Sequence, residues 1–123
     1  MALSVNREES SPELLETEIR SVNTHALFVL AGEVDLSTVG LLYEQMAALA
    51  AEGVCHVALN MAEVTFCDST GLSLLVTEHK RTESMGGELI IFSPSPKVRK
   101  LFEVSGLDSY FNVRPKTPND RMD

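Results

Sequence analysis

The sequence predicts one α/β domain with a mixed, mostly parallel β-sheet and alternating helices. Three observations carry this. Short apolar runs of strand character alternate with longer stretches whose apolar residues recur at helical spacing, and such alternation implies parallel strand pairs joined by right-handed crossovers. Ser, Pro and Gly stand where those helices would start and stop. With 123 residues, 44% hydrophobic and 23% charged, the chain suits a single domain that buries its core without disulfide staples.

Along the chain, residues 1–12 are expected to form a loose polar tail, residues 13–115 the domain, and residues 116–123 a second frayed tail. Leu14 to Arg20 reads as a weak strand and His25 to Leu30 as a stronger one, ended by Ala31-Gly32. A turn near Val22-Asn23 pairs the two as a hairpin. Val39, Leu42, Met46 and Leu49 then mark a helix, with Ser37 as its N-cap and Gly53 as its stop. Val54 to Leu59 is nearly continuous in apolar residues, the mark of a strand buried on both faces. The stretch TFCDSTGLSLLV leads into a second helix with Leu72, Leu75 and Val76 on its inner side, and Gly86-Gly87 ends it. Leu89 to Phe92 is another strand. A third helix has Ser95 as cap, Pro96 in its first turn, Val98, Leu101 and Phe102 facing inward, and Gly106 as its stop. Tyr110 to Val113 forms a last short strand. The sequence holds no internal repeat and no low-complexity linker.

Charge narrows the partners. The net charge of −8 leaves no basic stripe to neutralise the phosphates of a nucleic acid. It equally disfavours an anionic membrane surface, and a protein with a basic face is the natural complement. No run approaches the roughly 20 apolar residues of a membrane span, and the polar, acidic start lacks the features of a secretion signal. A cytoplasmic protein is expected. Cys55 and Cys67 lie in apolar stretches and read as small buried hydrophobes. No metal site is expected, because His and Cys do not cluster at ligand spacing. Neither a GxxxxGK[ST] loop nor a GxGxxG fingerprint occurs, so nothing in the sequence handles ATP.

In a parallel sheet the loops after the strands gather at one edge. That edge should collect Glu33 and Asp35, then Asp68, Ser69 and Thr70, then Ser93 and Ser95. Asp68-Ser69-Thr70-Gly71 admits two readings. Asp68 or Ser69 can cap the helix that follows, accepting bonds from its unpaired N–H groups. Ser69 can instead accept a phosphate, which the start of a helix tolerates. The two are compatible if Asp68 caps while Ser69 points outward. A hydrolase using Ser69 would need a neighbouring base. His25 and His56 fall in strands and His79 far along a helix, and no GxSxG elbow is present. No enzymatic activity is expected.

Four runs, GEVDLST, VALNMAEVTFCDSTGLSLLV, GGELIIFSPSPKVRKLFEVSGLD and YFNV, together resemble the STAS domain of bacterial anti-sigma factor antagonists. They do so in order and nearly without gaps over residues 13–114. The resemblance implies a STAS-like fold, no cofactor, and a partner-switching role in stress-responsive transcription. The unphosphorylated antagonist binds an anti-sigma factor that is also a serine kinase, and the sigma factor is released. The kinase then phosphorylates the antagonist, the complex separates, and a phosphoserine phosphatase resets the cycle. Carried over residue by residue, the acceptor is Ser69, the motif aspartate is Asp68 and the acidic loop residue is Asp35. The implied partner surface comprises Asp35, Asp68, Ser69, Thr70 and Gly71, with Ser93 and Ser95 beside them. Asn60 stands where the family has Asp or Asn, and Ser73 replaces a small residue, usually glycine. A STAS-like accessory subunit of a lipid-transport ABC complex is the alternative; it would share the fold without needing the phosphate.

Overall fold

A computed structural model describes residues 14–115; the expected tails, 1–12 and 116–123, lie outside the described residues. Five strands form one sheet in the order β1-β2-β3-β4-β5. They are β1 (Leu15–Val22), β2 (His25–Val34), β3 (His56–Cys67), β4 (Glu88–Phe92) and β5 (Asn112–Arg114), and the helices are α1 (Val39–Ala51), α2 (Ser69–Ser84) and α3 (Pro96–Ser105). β1 pairs antiparallel with β2, and every other pair is parallel. The hairpin turns at Asn23, whose φ of 54° is a left-handed conformation that asparagine tolerates.

Alternate strand residues supply one buried face: Ala26, Phe28 and Leu30 on β2, Val57 and Leu59 on β3, Leu89 and Ile91 on β4. Leu42, Met46 and Leu49 of α1, Leu74 and Leu75 of α2, and Val98 and Phe102 of α3 join the same cluster. On the other face, Leu27, Val29, Ala58 and Ile90 are only half-buried. The strand at 54–59 is therefore not buried on both faces. Its apolar continuity comes from small residues such as Ala58, which an open face accommodates.

Two strands run further than the sequence pattern indicates. β2 passes through Gly32 to Val34, which puts Glu33 in a strand and not in a loop. β3 continues to Cys67 by means of two register shifts. Val29 pairs with Asn60 but Ala31 with Glu63; Gly32 pairs with Val64 but Glu33 with Phe66, so β3 carries one extra residue at each step. These bulges replace the strand period of two by a spacing of three, and Met61, Val64 and Cys67 all reach the core. Asn60 supports the first bulge, its side-chain oxygen accepting from the Ala62 amide at 3.0 Å. The pairing of β3 with β4 ends at Asn60 and Phe92. Beyond that point Ser95 takes over, donating from its amide to the Met61 carbonyl and from its hydroxyl to the Val64 carbonyl at 2.6 Å.

The helix ends follow the sequence with one exception. Ser95 accepts from the Val98 amide, Pro96 follows it, and Gly106 ends α3 at a φ of 79°. Ser37 does not cap α1. Thr38 holds the cap position without a side-chain cap bond, because its hydroxyl is turned back to the Glu33 carbonyl at 2.7 Å. The last strand begins at Asn112, not Tyr110; Asp108 to Tyr110 form a turn, and the Tyr110 and Phe111 amides donate to the Leu107 carbonyl.

Candidate functional site

Two loops meet where β2 and β3 end. Val34 and Cys67 are register partners, and the Asp68 amide donates to the Val34 carbonyl. One residue on, the contact passes to side chains. Asp68 uses both carboxylate oxygens: one accepts from the Gly71 amide at 2.9 Å and caps α2, and the other accepts from the Leu36 amide at 3.2 Å. A single carboxylate thus starts a helix and holds the neighbouring loop, satisfying two N–H groups that would otherwise lack partners.

The first loop has its own order. One Asp35 oxygen accepts from the Ser37 amide at 3.0 Å and from the Ser37 hydroxyl at 2.8 Å. Thr38, buried at 5% exposure, accepts from the Asp35 amide with the oxygen that donates to Glu33. The Ser37 hydroxyl bond, offset in part by burial and reinforced by the Ser37 amide and Thr38, holds the Asp35 carboxyl below the usual carboxylate range. Asp35 therefore stays ionised at neutral pH. Thr38 was not singled out from the sequence; the Asp-x-x-Thr spacing in DLST, typical of side chains that bond a helix start, is the signal that could have found it.

Ser69 opens α2 and is exposed. Its hydroxyl has no hydrogen-bond partner among the described residues. Thr70 is half-buried, and Gly71 is buried with no room for a side chain. A Cβ on Gly71 would lie 2.6 Å from the Val34 carbonyl oxygen and 2.8 Å from Cys67 Sγ. Gly71 therefore shapes this surface by letting α2 approach both strands. Gly71→Ala is expected to cost about 1–3 kcal/mol through overpacking, read as a lower urea midpoint at unchanged m-value. An unaltered midpoint would show that the helix start yields freely. Cys67 is equally structural: burial first, then the charges of Asp68 and Asp35, push its thiol up to about 12, so it stays protonated and inert.

The third predicted loop is nearby in the fold but not part of this cluster. Ser95 is occupied by the Val98 amide and the Val64 carbonyl, and Val64 precedes Asp68 by four residues on β3, roughly 10 Å along a strand. Ser93, at a φ of 53°, donates from its hydroxyl to the Pro115 carbonyl. Among the described residues, no hydrogen bond joins either serine to Asp35, Asp68 or Ser69. Both fasten α3 and β5 to the sheet.

The histidines lie elsewhere. His25 and His56 stack at the opposite end of the sheet, their ring centroids 4.4 Å apart. His79 packs against Tyr110 and Phe111, ten residues along α2 from Ser69 and hence roughly 15 Å away. Among the described residues no imidazole adjoins the Ser69 hydroxyl, and both Asp68 oxygens are taken by amides. The site presents a hydroxyl beside negative charge.

Comparison with known proteins gives a consistent picture. The model of the STAS domain matches residues 16–119. An anti-sigma-B factor antagonist of Staphylococcus epidermidis is 34% identical over 88 residues, covering 72% of this chain and 82% of that protein. The anti-sigma factor antagonist SpoIIAA, solved in its unphosphorylated form, superposes with a TM-score of 0.73 at 25% identity, covering 87% of this chain and 93% of the other. The phosphorylated form of SpoIIAA, a Bacillus cell fate determinant, superposes with a TM-score of 0.68 at 25% identity, covering 87% and 96%.

Proposed function

This chain belongs to the STAS-domain family, and from that premise we propose that it is an anti-sigma factor antagonist switched by phosphorylation of Ser69. In its unphosphorylated form it binds an anti-sigma factor that is also a serine kinase, which frees the sigma factor. The kinase transfers a phosphate to Ser69, the complex separates, and a phosphoserine phosphatase restores the binding form. The protein acts in the cytoplasm as a binding regulator, with no catalysis of its own.

One observation carries this reading. Ser69 is exposed and its hydroxyl has no hydrogen-bond partner among the described residues, while Asp68, one residue earlier, caps the helix. The cap and the acceptor, two roles that one motif could have confused, fall on separate residues. A phosphate on Ser69 would sit at the first residue of α2, where free N–H groups and the helix dipole favour negative charge. That SpoIIAA has been solved with and without phosphate supports the same reading by likeness.

Incubation with a candidate anti-sigma factor kinase and ATP, followed by intact-mass measurement, tests it. The wild-type protein is expected to gain the mass of one phosphate and Ser69→Ala none. Equal phosphorylation of Ser69→Ala, with the label moved to Thr70, would show the acceptor to be misassigned.

A further inference from the structure

Two large apolar side chains stand out in solvent at the Ser69 edge. Leu36 is 76% exposed and Phe66 is 44% exposed. Both are tied directly to the site. The Leu36 amide is the group that Asp68 holds at 3.2 Å, and Phe66 lies two residues before Asp68 on β3, opposite Glu33. Neither exposure results from loose chain. The Leu36 turn is braced by Asp35, Ser37 and Thr38, and Phe66 faces outward because the second bulge turns Cys67 to the core. Rigid, exposed apolar groups ringed by polar ones are the usual make-up of a protein-binding surface.

The strands and loops that carry these two residues bear charge of one sign. From Arg20 to Lys80 no lysine or arginine occurs between, and that span includes Glu33, Asp35, Glu63 and Asp68. The edge thus offers two apolar protrusions carried on acidic segments. Its complement is a protein surface with an apolar recess and basic residues around it.

We infer that Leu36 and Phe66 are the apolar anchors by which the unphosphorylated protein docks into such a recess on its anti-sigma factor kinase, with Asp35 and Asp68 as the charged rim. This rests on the function proposed above and adds the source of affinity to it. In binding, desolvated apolar contacts at the centre hold the complex while rim charges steer encounter and register. A phosphate on Ser69 would then act against a partner already drawn in by negative charge, by overfilling the space between anchors and recess.

The test uses the full chain and a kinase that phosphorylates the wild-type protein. Affinity is measured by calorimetry for Leu36→Ala, Phe66→Thr, Leu36→Glu and Leu36→Lys. Val22→Ala serves as the control, since Val22 is 70% exposed at the opposite end of β2, paired with His25. Leu36→Ala and Phe66→Thr are each expected to weaken binding at least tenfold with thermal midpoints near wild type, Val22→Ala to change nothing, and Leu36→Lys to bind worse than Leu36→Glu. If Phe66→Thr proves unstable, Leu36→Ala decides alone. Binding of Leu36→Ala within twofold of wild type, or an equal loss in Val22→Ala, overturns the inference, as does Leu36→Glu binding worse than Leu36→Lys. The underlying function is judged separately, by whether Ser69→Ala loses the phosphate. A wild-type protein that no anti-sigma factor kinase binds or phosphorylates overturns both.

Discussion

Phosphorylation of Ser69 is expected to lower affinity for the kinase about a hundredfold while leaving the fold in place. Ser69 begins α2, and its hydroxyl is free of the network that builds the site. A phosphate there adds charge of about −1.5 to −2. The helix dipole and nearby N–H groups offset part of it within the protein. The two bonds of Asp68 are untouched, so the loops on either side keep their arrangement. A docked partner packed closely around Ser69 has no room for the added group, and losing about 3 kcal/mol at the interface to that overfilling amounts to roughly a hundredfold. Two measurements on the phosphorylated protein decide this. Amide chemical-shift changes should stay near residues 35–38 and 68–72, and titration with the kinase should show the loss of affinity. Ser69→Asp should reproduce only part of that loss, having less charge and fewer acceptor oxygens. Shift changes spreading through β1 and β5, or undiminished affinity, would refute an interface mechanism.

Asp68→Ala is expected to lower stability by about 1–3 kcal/mol. The variant loses the N-cap of α2 and the tether of the Leu36 amide together, leaving two N–H groups without their acceptor. The resulting damage is local to the junction of the two loops. Asp68→Asn keeps one acceptor oxygen but places an NH2 group against the other amide, so it should fall between wild type and Asp68→Ala. Urea midpoints should follow that order at constant m-value. Hydrogen exchange at the Leu36 and Gly71 amides should quicken in Asp68→Ala and remain slow at Phe28 and Leu59 in the core. Equal stability of all three proteins would mean that water replaces both bonds without cost.

Much of this molecule was legible in its sequence where local chemistry acts alone. Helix α3 is the clearest case: Ser95, Pro96 and Gly106 sit at its ends for reasons internal to the helix, and all three do in the structure what their residue types predict. The Asp68 cap is read the same way. The failures have a common cause. The apolar run marks a strand at Val54 to Leu59, whereas β3 reaches Cys67 with Met61, Val64 and Cys67 three apart, a spacing that fits a strand only when bulges interrupt it. Nothing in those residues alone announces a bulge. It is held by Asn60 within the chain and by Ser95 from another part of it. Ser37 is of a residue type that commonly caps helices, yet Asp35 captures its hydroxyl and Thr38 takes the position before α1.

The site divides along the same line. The sequence by itself determined the alternation of strands and helices, the helix punctuation, and the motif in which a carboxylate, a hydroxyl and a glycine follow one another at Asp68, Ser69 and Gly71. These depend on backbone groups within a few residues, whose needs each residue type meets or fails to meet wherever the segment lies. Only the tertiary structure decided that Asp68 also holds the Leu36 amide, that Ser93 and Ser95 stand apart from the acidic cluster, and that Leu36 and Phe66 project beside Ser69. The first is a contact between segments about thirty residues apart, made because β2 and β3 end side by side; the second is a distance set by how far β3 runs beyond β4; the third follows from the bulges of β3 and the braced turn after β2. Sequence periodicity reports which face of an element is buried; it carries no information on where one element ends against another, and that offset is what assembles this edge.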